Sequence, residues 1–103
     1  MAEQLVLQFL GDEDDIADKI VALEDALFEA LGNRGEVDGH AAGDGTVNVT
    51  IFARSAQRAW EAVEKTVEDA DDLELNAVAF RASDDDDFTV LWPPDFDDEF
   101  TLE

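Results

Sequence analysis

The stretch 35-GEVDGHAAGDGTVNVTIF-52 decides the fold. It holds four of the chain's six glycines and its single histidine. Its second half, Thr46 to Phe52, alternates apolar and polar residues with the period of a strand. Its first half is the expected partner strand, and Gly43-Asp44-Gly45 lies between the two. Glycines there supply the positive φ that a tight connection requires. With those three residues as the loop, Ala42 faces Thr46, Ala41 faces Val47, His40 faces Asn48, Gly39 faces Val49, Asp38 faces Thr50 and Val37 faces Ile51. One face then collects Val37, Ala41, Val47, Val49 and Ile51. The other collects Asp38, His40, Asn48, Thr50 and Phe52. A one-residue slip exchanges the faces of a strand, so this partition sets the expected register.

The flanking segments show two clear periods. Residues 4-QLVLQFL-10 alternate, with Leu5, Leu7 and Phe9 on one side, as in a strand with one buried face. Residues 14–32 place Ile16, Ile20, Leu23, Leu27 and Leu31 at helical spacing. Asp14 or Asp15 is the expected cap, and Gly32 the expected stop. Residues 55–70 form a second helix, with Ser55 as its cap and Ala59, Trp60, Val63, Val67 and Ala70 inward. Residues 73–82 read as a strand with Val78 and Phe80 on one side, and 84-DDDD-87 as a solvated turn. Residues 88-FTVLWP-93 form a last strand, stopped by Pro93-Pro94.

The order strand, helix, strand, strand, helix, strand, strand predicts an α+β fold. It is a ferredoxin-like split βαβ (βαββαβ) with an extra C-terminal strand. The expected sheet order is 5-4-1-3-2, with two helices on one face. Residues 1–94 make this single domain, which 103 residues and 46% apolar content can supply with a core. Residues 95–103 form an acidic-aromatic C-terminal tail, with Phe96 and Phe100 one helical turn apart. The rings either pack back on the domain or serve as a docking segment.

The segments VDGHAAGDGTVNVTIF (37–52) and FTVLWP (88–93), with the helix rich in Ala and Glu between them, resemble a set of small, acidic, uncharacterised microbial ferredoxin-like proteins. The shared pattern is a V-D-G-H-x-x-G-x-G hairpin and a terminal T-V-L-W-P strand. It spans roughly residues 4–93. The resemblance implies the same architecture and no activity.

Charge is the strongest compositional signal: 28 acids against six bases, net -22. Such a field repels nucleic acid and anionic membrane surfaces. It attracts basic proteins and weakly holds divalent cations without a specific site. Lysine occurs twice, Asp exceeds Glu, and Ala and Val are abundant, which also fits a halophilic, salt-adapted surface. Cysteine is absent, excluding disulfides and thiolate chemistry. The first residues lack the basic region of a signal peptide, and no apolar run approaches a membrane span, so a cytoplasmic location is expected.

His40, with Asp38 and Asp44 near it in sequence, is the candidate centre of chemistry. The two serines, Ser55 and Ser83, lie at element ends outside any G-x-S-x-G context, and tyrosine is absent. GHAAGDG (39–45) lacks the Lys-Ser/Thr ending of a phosphate loop. Asp12 and Asp14 begin a calcium-loop pattern that Ile16 breaks. His40 is expected to hydrogen-bond on the sheet face away from the helices, and Gly39 to let a helix approach the sheet. The chain is read as no enzyme, without cofactor or dedicated metal site.

The topology sends several acidic connections to one end of the sheet. The expected partner-binding residues are Asp12, Glu13, Asp14, Asp15, Asp44, Asp69, Asp71, Asp72, Asp97 and Asp98. Glu68 belongs to the same end, while 84-DDDD-87 and Glu36 go to the other. The leading expectation is a small acidic binding or inhibitory protein, immunity-like or DNA-mimic-like, that engages a basic protein surface. The alternative is a salt-adapted domain of regulatory or structural role with no charge-specific partner. Self-association into a homodimer would use the sheet face free of helices.

Overall fold

The computed structural model describes residues 3–43, 45–70, 73–82 and 88–92. The elements are β1 (Glu3–Leu10), α1 (Glu13–Leu31), β2 (Glu36–Ala42), β3 (Thr46–Ala53), α2 (Ala56–Asp69), β4 (Glu74–Ala82) and β5 (Thr89–Trp92). The five strands form one antiparallel sheet in the order β2-β3-β1-β4-β5. Read from the other edge, this is the expected 5-4-1-3-2. The expected turn at 84–87, the Pro93-Pro94 stop and the tail at 95–103 lie outside the described residues.

Odd-numbered residues of β1 and β3 face the helices. Leu5, Leu7, Phe9, Val47, Val49 and Ile51 are fully buried against Ile20, Leu27 and Leu31 of α1 and Ala59 and Val63 of α2. The two helices lie side by side, α1 over β2 and α2 over β1. The five apolar residues expected on the inner stripe of α1 are all buried. Burial at 1.5–3 kcal/mol per large aliphatic side chain, in rough terms, makes this layer the main source of stability.

The helix ends follow local chemistry. Ser55 Oγ accepts the Arg58 amide at 3.3 Å, the expected N-cap of α2. Glu3 Oε1 accepts the Ala56 amide at 2.8 Å, so a carboxylate joins the Ser55 hydroxyl as an acceptor at the same helix end. Gly32, at φ +56, donates its amide to the Phe28 carbonyl and stops α1. The start of α1 corrects the expectation: Asp12, not Asp14 or Asp15, occupies the cap position, without a side-chain cap bond. The Asp12 carbonyl instead accepts the amides of Asp15 and Ile16.

The central strand β1 is buried on both faces, where one buried face was expected. On the face turned from the helices, Val6, Ala77 and Ala79 are fully buried, and Gln8 and Asn48 nearly so. The polar members form an amide ladder across three strands. Asn76 Nδ2 donates to Gln8 Oε1 at 2.8 Å, and Gln8 Nε2 donates to Asn48 Oδ1 at 3.0 Å. Asn76 reaches Gln8 because the β1–β4 register shifts between Gln8 and Phe9.

The hairpin differs from its expected register. Gly43 donates its amide to the Thr46 carbonyl at 2.7 Å, where Ala42 was expected to face Thr46. Ala42 pairs with Val47, Ala41 with Asn48, His40 with Val49 and Gly39 with Thr50. Val37 still pairs with Ile51, as expected, because the register shifts between Val37 and Gly39. Asp38 is the extra residue of a β-bulge, and Gly39 accommodates it at φ +138. Gly39 does not admit a helix: a Cβ built there meets no atom within 4 Å.

Candidate functional site

The bulge turns His40 to the helix side of the sheet. Its Nδ1 lies 3.0 Å from Glu24 Oε1 on α1, so the histidine bridges sheet and helix. The expected placement beside Asn48 on the opposite face is thereby corrected. Among the described residues, no group of three or more His, Cys, Asp or Glu side chains is arranged to hold a metal ion. No described helix is long and apolar enough to cross a membrane.

Three connections meet at one end of the sheet. Gly11 donates its amide to the Gly45 carbonyl at 2.9 Å, joining the β1–α1 connection to the hairpin tip. Leu10 pairs with Glu74, which brings the start of β4, just after α2, to that same end. Asp12, Asp14, Asp15, Glu68, Asp69 and Glu74 are all exposed there. Glu13 opens α1 beside them. Asp44, Asp71, Asp72, Asp97 and Asp98 lie outside the described residues, so the candidate set is brought together in part. Helix α2 ends on Glu68-Asp69 with no basic residue in its last turn. Those charges face the negative end of the helix dipole.

The arginines occupy the opposite end. Arg34 precedes β2, Arg54 follows β3, Arg58 lies in the first turn of α2, and Arg81 pairs with Gln4 near the start of β1. Arg81 Nε donates to Gln4 Oε1 at 2.8 Å, and its guanidinium stacks 4.8 Å from the centre of the Phe88 ring. All four arginines thus lie at one end, although Glu3 and Glu36 accompany them. This grouping leaves little trace in the sequence. Its signal is only that Arg34, Arg54 and Arg58 each lie within four residues of an element boundary at this end.

No protein-family model, curated protein or solved structure matches the chain.

Proposed function

We propose that this protein is a small non-enzymatic binding or inhibitory module whose anionic end engages a basic protein surface. We read its topology as a ferredoxin-like split βαβ unit extended by β5. The observation that carries the functional reading is the sorting of charge along the strands. The Gly11–Gly45 bond and the Leu10–Glu74 pairing gather acid-bearing connections at one end, and the arginines lie at the other. A charge excess serving solubility alone has no need of such sorting. The acids at the end of α2 also oppose its dipole, a local penalty of roughly 0.3–1 kcal/mol per charge. A docking role for those carboxylates accounts for their retention.

The test compares two triple substitutions that remove equal charge. One is Asp69→Asn, Asp71→Asn and Asp72→Asn; the other is Asp85→Asn, Asp86→Asn and Asp87→Asn. The association rate with the protein that co-purifies from the native host is measured over a range of salt. The first triple is expected to slow association, most strongly at low salt, and the second to leave it nearly unchanged. Equal slowing by both triples refutes the docking end and leaves a salt-adapted surface as the account.

A further inference from the structure

The arginine end contains an open cleft of about 530 Å³, larger than clefts of about 350 and 340 Å³ beside Trp92 and Lys19. Arg34, Arg54 and Arg58 line it, together with Phe52, Ser55 and Glu36. Half of the chain's six basic residues therefore border one cleft in a protein of net charge -22.

Gly35 explains how the cleft forms. A Cβ at that position would meet the Phe52 carbonyl oxygen at 3.1 Å and Ala53 Cβ at 3.2 Å. Without one, the chain before β2 lies directly against the end of β3. Arg34 precedes Gly35 and Arg54 follows Ala53, so both flank that contact, and Arg58 follows in the first turn of α2. At the start of α2 the Ala56 and Arg58 amides are already engaged by Glu3 and Ser55 and add little positive charge. The side chains supply it. Among the described residues, no carboxylate pairs with Arg34, Arg54 or Arg58, although 28 acids are available in the chain.

We infer that this cleft binds a small molecule carrying a phosphate group and a planar ring. Guanidinium forks match the oxygens of a phosphate, and unpaired forks keep their donors available. Phe52 borders the same cleft and is 37% exposed, which leaves its ring accessible for stacking. Glu36 offers acceptors for a ligand hydroxyl or amine. The volume falls within the roughly 300–1,000 Å³ of small-molecule sites. This inference does not depend on the docking role of the acidic end, since the two sites lie at opposite ends of the sheet.

The experiment is a calorimetric titration at low, fixed ionic strength. The probes are adenosine 5′-monophosphate, adenosine, inorganic phosphate and acetate. Saturable one-to-one binding is expected for the monophosphate, with phosphate weaker, and adenosine and acetate weakest. Arg54→Gln with Arg58→Gln is expected to weaken monophosphate binding at least about tenfold. Lys19→Gln with Lys65→Gln removes the same charge elsewhere and should change it less than about twofold. Arg34→Gln, in the connection before β2, repeats the test outside the helix should the double arginine variant melt early. Adenosine binding as tightly as its monophosphate overturns the inference, as does acetate binding as tightly as phosphate. Equal weakening by the lysine pair, or no saturable binding, also overturns it.

Discussion

His40 and Glu24 meet across the layer between sheet and helix, Nδ1 to Oε1 at 3.0 Å, although 16 residues separate them in the chain. The contact ties the edge strand β2 to α1. Both side chains are largely buried, with 22% and 18% of their side-chain surface exposed. His40→Ala and Glu24→Gln should each lower stability by about 1 kcal/mol. The double variant should lose less than the sum, with a coupling of roughly 0.5–1 kcal/mol. Chemical denaturation of the four proteins of this cycle checks it, and strict additivity would deny the bridge.

The amide ladder predicts an asymmetry. Gln8→Leu deprives Asn48 Oδ1 and Asn76 Nδ2 of one partner each inside the sheet. The expected loss is about 1–3 kcal/mol, read from the urea midpoint. Pairing that change with Asn48→Val should recover part of the loss, because donor and acceptor are removed together. Further destabilisation in the double variant would contradict the ladder.

At the hairpin, Gly45 has φ +80 and Gly39 φ +138, and a Cβ at either position has open space around it. Any penalty at these sites is therefore conformational. Gly45→Val and Gly39→Val should each destabilise by about 1–3 kcal/mol. Thermal melts measure this. An unchanged melt for Gly39→Val would remove the bulge from the account.

Acids at the end of α2 oppose its dipole, and neutral or basic replacements should relieve that. Glu68→Lys with Asp69→Lys is expected to stabilise the protein by about 0.3–1 kcal/mol per site at low salt. The gain should shrink as KCl rises, since the Debye length contracts from roughly 30 Å at 0.01 M to roughly 3 Å at 1 M. Melting curves across that range test both the sign and the salt dependence.

The unsubstituted protein answers to the same screening. With a net charge of -22, its melting temperature should climb steeply from millimolar to molar KCl. A flat profile would mean that its carboxylates do not repel one another appreciably.

Much of this architecture was legible in the residues. The helical stripe from Ile16 to Leu31, the Ser55 cap and the alternation through Leu5, Leu7 and Phe9 each carry strong polarity contrast, and the structure matches them. The hairpin tip was not legible to the same degree. Gly39, Ala41 and Ala42 fit either face, so a slip among them leaves no trace in a polarity pattern. Asp44-Gly45 is itself a two-residue turn signal, but Gly43 beside it suggested a longer loop. His40 changed sides as a result. The second buried face of β1 was hidden because Gln8 reads as solvent-facing until its two amide partners are known. The arginine cleft was hidden because Arg34 and Arg54 lie 20 positions apart and border one cleft only where the chain at Gly35 runs close to the end of β3.

The bulge at Asp38 has a consequence for the length of the chain. Between the Val37–Ile51 and Gly39–Thr50 pairs, β2 advances by two residues while β3 advances by one. Deleting residue 38 would therefore restore a continuous ladder and keep every other cross-strand partner. Deletions elsewhere in β2 would displace side chains from one face to the other. Position 38 is thus the place in this strand where an insertion or deletion alters the length of the protein without rewriting which residues meet.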